Sequence, residues 1–336
     1  MVEAVQEAPN HRSICFFARV TDPAILERVE FYAQDIRALR ELGFDLKIVT
    51  RIRDLRVADF YFIWWWTWAF IPVALARLLR RPCLITGTMD VADVPDRPAL
   101  HRWLMAFSTK FADANVFVSQ LEYRTSRDHL PVNNPCYSPH TVDVNYYKPG
   151  LAQREDFILT VAWMHGPNAE RKCIPEVLRA ASLVHEIHPS VRFVIAGECG
   201  SAYPALAQLV DELDANSYIE FPGIVSLDAK IDLMQRCAIY LQPTRYEGFG
   251  VAILEAMSCG ASVITSPAGA VPEVVGDTAM LVDGASPAEI AAAINHLLNN
   301  AAVRDTLGRC ARERAVKEFQ YDRRKQDLKG IINGIL

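Results

Sequence analysis

The chain has no Cys-x-x-Cys pair, no His-Glu-x-x-His string and no Gly-x-Gly-x-x-Gly fingerprint, and each absence closes a class of function. Its eight cysteines are scattered from Cys15 to Cys310 and no secretory leader is read at the N-terminus, so they are expected as reduced thiols in a cytoplasmic protein. His185 and His188 stand three apart with no third ligand nearby, so no metal site is expected, and they are read as solvated helix-end residues. The missing glycine fingerprint argues against a dinucleotide site. Lys and Arg number 35 against 40 Asp and Glu, a net charge of −5 that gives nucleic acid no electrostatic purchase. The charge-free stretch from Phe60 to Ala76 approaches the length of a membrane span, but it contains Pro72 and changes from a β-rich run to a helical one, which fits a buried strand followed by a helix.

What is present is an ordinary soluble composition, 51% hydrophobic and 22% charged, over 336 residues, a length suited to two α/β domains of roughly 150 residues each. Residues 1–11 read as a polar lead. Ile14–Ala18, Phe44–Thr50, Asp59–Trp64, Pro82–Thr86 and Ala114–Ser119 then read as strands alternating with helices such as Val29–Leu42 and Ala69–Arg80. That rhythm predicts a parallel sheet covered on both faces. Open α/β sheets bind ligands beyond the carboxyl ends of their strands, here the loops 18–30, 64–68 and 87–96. Trp66 and Trp68 are candidates for stacking on a sugar ring, with core filling as the alternative for about two of the four tryptophans at 64–68. Asp90 and Asp93 are candidates for orienting a ligand hydroxyl, with turn and capping chemistry as the alternative.

The second half repeats the alternation, with strands over Phe157–Ala162, Val191–Gly197, Tyr218–Phe221, Ala238–Leu241 and Ser262–Thr265. Its most informative stretch is Leu241 to Gly260. There a β-rich run ends at Pro243, Gly248 and Gly250 punctuate a turn, and an amphipathic helix runs from near Gly250 to Gly260. First-turn amides have no partner within a helix and glycine puts no side chain in the way, so the turn at Gly248, Phe249, Gly250 and Val251 suits a phosphate. Glu247 and Glu255 bracket it; carboxylates ligate phosphate poorly but accept well from sugar hydroxyls, which suggests a nucleotide sugar. Arg171 and Lys172 are read at the start of the helix bearing Ile174, Val177 and Leu178. Placed there they oppose the helix dipole and point to a bound diphosphate.

Glu247, seven residues and Glu255, within Glu-Gly-Phe-Gly-Val-Ala-Ile-Leu-Glu-Ala-Met-Ser-Cys-Gly, closely resemble the signature of the GT4 family of retaining glycosyltransferases, and the likeness continues through Pro267–Val275. Ser138–Gly150 resembles the stretch closing that family's N-terminal domain, and Phe221–Val225 the turn that receives the nucleotide base. The resemblance implies a GT-B fold, with two Rossmann-like α/β/α domains facing across a cleft and a C-terminal helix crossing back to the first. The corresponding spans are 1–149 on the acceptor side, 150–317 for the donor and 318–336 for the returning helix. It further implies metal-independent transfer from a nucleoside diphosphate sugar, UDP or GDP type, with retention and without a cofactor. Lys172 and the 248–251 turn would hold the diphosphate, with Arg171 beside them. Glu247 would hold the transferred sugar, Glu255 the ribose, and Gly223, Ile224 and Val225 the base.

Two departures stand out. The family's histidine after the fourth strand has no counterpart in Thr86-Gly87-Thr88-Met89-Asp90, and Trp163 stands where a strand-end arginine is usual, a place Arg171 or Arg245 could fill. The alternatives are therefore a GT-B epimerase or phosphorylase, and a degenerate binding subunit. Expected partners are the nucleotide sugar and a carbohydrate, lipid-linked or small-molecule acceptor, without nucleic acid. The arginines at 51, 53, 56, 77, 80 and 81 leave open a peripheral contact at the inner membrane face.

Overall fold

The computed structural model describes residues 12–90 and 93–336, so the polar lead read at 1–11 lies outside the described residues. The chain divides into two compact units: one runs to Thr141 and takes in Tyr321–Leu336, and the other is Val142–Gln320.

The first unit is a six-stranded parallel sheet. Its strands are β1 (Ser13–Ala18), β2 (Asp45–Val49), β3 (Phe60–Trp64), β4 (Cys83–Gly87), β5 (Ala114–Phe117) and β6 (Pro135–Tyr137), in the order β2-β1-β3-β4-β5-β6. The strands β3, β4 and β5 are buried throughout, as a sheet covered by helices on both faces requires. No local pattern announces β6: it is three residues long, begins with proline and lies at the edge, where a missing N–H is tolerated. The 60–76 stretch divides into β3, a 3-10 turn at Trp66–Trp68 and the start of a helix at Phe70–Leu78. Among the described residues no helix is long and apolar enough to cross a membrane.

The terminal helix Tyr321–Ile335 belongs to this unit, with Leu328 and Ile332 buried in its core. Its Arg324 is fully buried and donates to both Asp35 carboxylate oxygens, at 2.9 and 3.0 Å, to the Ser138 carbonyl at 2.6 Å and to the Thr86 hydroxyl at 3.0 Å. A buried charge of this kind needs a full set of partners, and Arg324 has one.

The second unit contains β7 (Glu155–Val161), β8 (Arg192–Ala196), β9 (Ile219–Gly223), β10 (Cys237–Gln242), β11 (Ser262–Thr265) and β12 (Met280–Leu281), again all parallel, in the order β12-β11-β10-β7-β8-β9. The chain builds outward one way from β7 through β8 to β9, then returns to the other side of β7 to lay down β10, β11 and β12. The strand order therefore reverses between β7 and β10, and ligands collect beyond the carboxyl ends of strands at such a point. Residues 142–149, which the sequence assigns to the first domain, pack within this unit. The Tyr147 hydroxyl donates to Glu255 at 2.9 Å, and its carbonyl accepts from Ser258 at 2.7 Å. At the other end, the amide of Val142 bonds the Phe319 carbonyl, which keeps 318–320 here too.

Candidate functional site

Two connections meet at the reversal. After β10, Pro243 ends the ladder and Thr244 fixes the turn: its hydroxyl donates to the carbonyls of Arg171 and Tyr246, at 3.0 and 2.9 Å. The Arg245 amide bonds the Arg171 carbonyl at 2.7 Å, so the segment after β7 and the segment after β10 are tied backbone to backbone. A third segment buttresses them. Gly269 has φ +59°, and a Cβ on it would lie 2.2 Å from the Glu247 carbonyl, so only glycine lets the 266–270 turn come this close. The neighbouring Ala270 amide donates to that same carbonyl at 2.8 Å.

Glu247 is thereby presented to a cluster of donors. Its Oε1 accepts from Lys172 Nζ at 2.7 Å and from Gln242 Nε2 at 3.2 Å, and Arg171 Nη1 lies 3.1 Å away. Gln242 is itself oriented by the Tyr240 hydroxyl at 2.7 Å. Burial pushes the Glu247 carboxyl up, but Lys172 and Arg171 outweigh it and hold its pKa below the ordinary value. Immediately beyond, Gly248 and Phe249 lead to Gly250, whose φ of +95° is the left-handed conformation that starts the helix Val251–Ser258. That helix is buried from Ile253 to Ser258, with Glu255 its one charged residue, so packing along its length holds its starting point. Phe249 is buried, with its ring edge-on to Phe319 at 5.9 Å.

Glu255 points elsewhere. It is 3% exposed, and its Oε1 accepts from Lys230 at 2.7 Å and Tyr147 at 2.9 Å. Lys230 escaped the sequence reading because Asp228 and Asp232 beside it make its helix, Leu227–Arg236, look like an ordinary solvated face. At the end of β9, Gly223 adopts φ +73°, Ile224 is 64% exposed and Val225 is half-buried.

The segment before Lys172 departs from its expected form. It is a helix, Gly166–Arg171, opened by Pro167 in its first turn, and the next helix starts at Ile174 after a left-handed Cys173. Arg171 thus ends one helix and Lys172 caps it, directly ahead of the Cys173 that caps the next, so the first dipole favours the two cations while the second opposes them, and the dipole gives no separate reason to expect a diphosphate. Their convergence on Glu247 is what singles them out. Arg245 is turned to Glu176 at 2.9 Å, and Arg171 is the one of the two that lies within ion-pair distance of Glu247. His185 is half-buried and stacks on Tyr218 at 3.7 Å, in place of the solvated position expected for it.

The acceptor-side candidates lie in the first unit. Trp66 is 1% exposed, its ring stacked on Phe117 and its Nε1 donating to Asn115 at 2.9 Å; it is a core residue and is withdrawn as a sugar platform. Trp64 is core as well, while Trp68 is 43% exposed beneath the Arg19 guanidinium at 3.3 Å. Asp90 is half-buried with φ +51°, and its amide donates to the buried Glu122 carboxylate at 2.8 Å, which also receives the Met89 amide. Asp93 is exposed, its amide closing a turn on the Asp90 carbonyl. Among the described residues no group of three or more His, Cys, Asp or Glu is placed to hold a metal ion.

Residues 156–300 match the family model of the group 1 glycosyl transferases. The O-antigen chain mannosyltransferase B of Escherichia coli is 33% identical over 136 residues, 40% of this chain and 35% of that protein. A phosphatidylinositol N-acetylglucosaminyltransferase component of Arabidopsis thaliana is 27% identical over 204 residues, 58% of this chain and 44% of that protein. The chain spans less than half the length of these curated relatives. Among solved structures, Anabaena HepE in complex with UDP and glucose superposes with a TM-score of 0.81 at 16% identity, over 96% of this chain and all of that one. Sucrose-phosphate synthase of Thermosynechococcus elongatus does so with 0.81 at 18%, over 96% and 99%. The second unit carries the domain that matches the group 1 glycosyl transferases, in line with the resemblance seen at Glu247 and Glu255, and the two parallel sheets are built as in the GT-B structures on which the chain superposes.

Proposed function

We propose that the protein transfers a sugar from a nucleoside diphosphate sugar to an acceptor hydroxyl, with retention of anomeric configuration and without a metal or other cofactor. The observation that carries the reading is the convergence of Lys172 and Arg171 on Glu247 at the β7/β10 reversal, one turn before the helix that starts at Gly250. A diphosphate on the Gly248–Val251 turn would take up the two cations. These would stabilise the charge that grows on the leaving phosphate as the glycosidic bond breaks. Glu247, released from them in part, then accepts from hydroxyls of the transferred sugar. Glu255 takes the ribose, and the Gly223–Val225 turn the base through its backbone.

In this reading the first unit serves the acceptor, with Trp68, Asp90 and Asp93 as the residues to test. A lipid-linked acceptor and a peripheral membrane contact fit the exposed Leu100 and Trp103 of the helix Ala99–Phe111, which carries His101, Arg102 and Lys110 as well. A lipid acceptor also agrees with the similarity to phosphatidylinositol N-acetylglucosaminyltransferase components.

The test is a mass-spectrometric assay of sugar release and transfer from UDP- and GDP-sugars, with and without candidate acceptors. The proposal expects turnover that disappears in Glu247→Ala while UDP or GDP still binds. Wild-type transfer rates in Glu247→Ala would refute it. Product formed without any acceptor would favour an epimerase, and product that requires inorganic phosphate a phosphorylase. Binding without turnover would favour a degenerate, non-catalytic role.

A further inference from the structure

At the opposite end of the second sheet from the candidate site lies a cavity of about 310 Å³ that the proposed reaction does not use. It is bordered by Ala238 near the start of β10, Ser262 at the start of β11, Arg154 just ahead of β7, and the helix Ala301–Glu318. The glutamate turn follows the other end of these strands. At about 3.3 Å per residue, β10 alone separates the two ends by roughly 16 Å.

The lining is unusually cationic. Arg154, Arg304, Arg309 and Arg312 contribute four guanidinium groups, and Asp305 is the one carboxylate among the lining residues. Arg309 is paired with Glu313 at 2.9 Å, and Arg304 lies 3.9 Å from Asp305, beyond hydrogen-bonding reach. Arg154 and Arg312 have no carboxylate within ion-pair distance among the described residues. Arg154 donates to the carbonyls of Cys237 and Cys259, and Arg312 to those of Tyr147 and Ser258. Carbonyl dipoles hold these side chains in place but leave their positive charge uncancelled.

A second observation is independent of the charge. Two buried polar atoms of the lining residues have no hydrogen-bond partner: Nε of Arg304 and Oγ of Ser262, whose residue is 2% exposed. Buried polar groups are nearly always satisfied, so two orphans beside one cavity mark a place where something polar is missing. A guanidinium Nε–H and a serine hydroxyl are both donors to oxygen, and the surplus charge around them selects an anion.

We propose that this cavity binds a phosphate group, as a second anion site separate from the nucleotide sugar. Arg304 and Ser262 are its hydrogen-bond donors, and Arg154, Arg309 and Arg312 set its charge. The phosphate comes either from a small soluble phosphomonoester or from a lipid headgroup.

The experiment is titration of the full chain with inorganic phosphate, against sodium chloride at matched ionic strength, followed by calorimetry and thermal unfolding. Wild type and Lys172→Ala should both show saturable binding and a rise in Tm. Arg304→Gln should bind roughly tenfold more weakly or less, the worth of one charge-assisted hydrogen bond. Arg309→Gln, at an exposed position that carries no folding risk, should weaken binding roughly threefold, the worth of one partly exposed charge. No saturable binding to wild type beyond the chloride control overturns the proposal, as does undiminished binding in both arginine variants. Loss of binding in Lys172→Ala with retention in Arg304→Gln also overturns it, since the phosphate would then sit at the nucleotide site. Phosphatidylcholine vesicles containing phosphatidic acid that compete with inorganic phosphate assign the group to a lipid; vesicles that do not compete assign it to a soluble ligand.

Discussion

Lys172 and Glu247, 75 residues apart in the chain, meet at 2.7 Å at the point where the strand order of the second sheet reverses. Each is close to buried, with side-chain exposures of 12% and 11%. Neither charge would be tolerated there alone, and both stand at a strand-order reversal, the kind of place where open α/β sheets bind ligands.

Breaking the pair without a ligand should therefore cost stability. Glu247→Ala leaves Lys172 with no carboxylate, and we expect a loss of about 1.5–3 kcal/mol in denaturant unfolding, the scale of a hydrogen bond to a charged group. Added UDP or GDP should restore part of that loss, because the diphosphate replaces the missing negative charge. A variant as stable as wild type would mean that the pair contributes nothing to the ligand-free protein.

Gly269→Ala tests the buttress behind Glu247. With φ +59° and a Cβ 2.2 Å from the Glu247 carbonyl, the substitution must move the glutamate loop, and transfer should fall at least tenfold while the fold is kept. Full activity with an unchanged Tm would show the loop position to be irrelevant.

The helix Tyr321–Ile335 should depend on its buried ion pair. Arg324→Ala strands the Asp35 charge and is expected to cost about 3–5 kcal/mol, whereas the double variant Arg324→Met with Asp35→Leu should be clearly milder. Equal losses in the two would contradict this reading of the pair.

His140 is buried with its ring stacked on Trp64, at a centroid distance of 5.8 Å and 6° between planes. Burial first, and the Arg324 charge second, hold its pKa well below 6.5. A folded pKa depressed below the unfolded one means that the unfolded chain takes up the proton first as pH falls. The contribution is whole above about pH 6.5 and is lost progressively below it. Unfolding of wild type between about pH 7 and pH 5 should show a decline that His140→Gln flattens. An identical slope in the two proteins would rule His140 out as its source.

The alternating strands, the turn at Gly248–Gly250 and both glutamates are legible in the sequence because β-rich runs, glycine punctuation and helical spacing are local signals. What fails is set by tertiary packing. Trp66 and Trp68 are alike as residues two apart in an aromatic run, and only the sheet decides that the first goes inward to Asn115. Arg324 looks like any solvated helix arginine until Asp35, 289 residues away, is brought against it. Lys230 is hidden by the same ambiguity. The helix Gly166–Arg171 is only six residues long, too short to show a period, so the sequence shows Arg171 and Lys172 ahead of the helix at Ile174 but not that they also end a helix of their own. The unit boundary falls at 141 instead of 149 because Tyr147 and Ser258 bond each other, a contact across 111 residues that no local pattern announces.

Thermal unfolding of wild type and Lys172→Ala with UDP, GDP and ADP is the most direct measurement. A diphosphate at about 100 times its dissociation constant adds roughly 2.7 kcal/mol, a shift of a few degrees in a chain of this size. The predicted result is that one nucleoside diphosphate stabilises the wild type in a saturable way and stabilises Lys172→Ala far less. Equal stabilisation of the two proteins, or none by any nucleoside diphosphate, would contradict the assignment of Lys172 and the Gly248–Val251 turn to a nucleotide sugar.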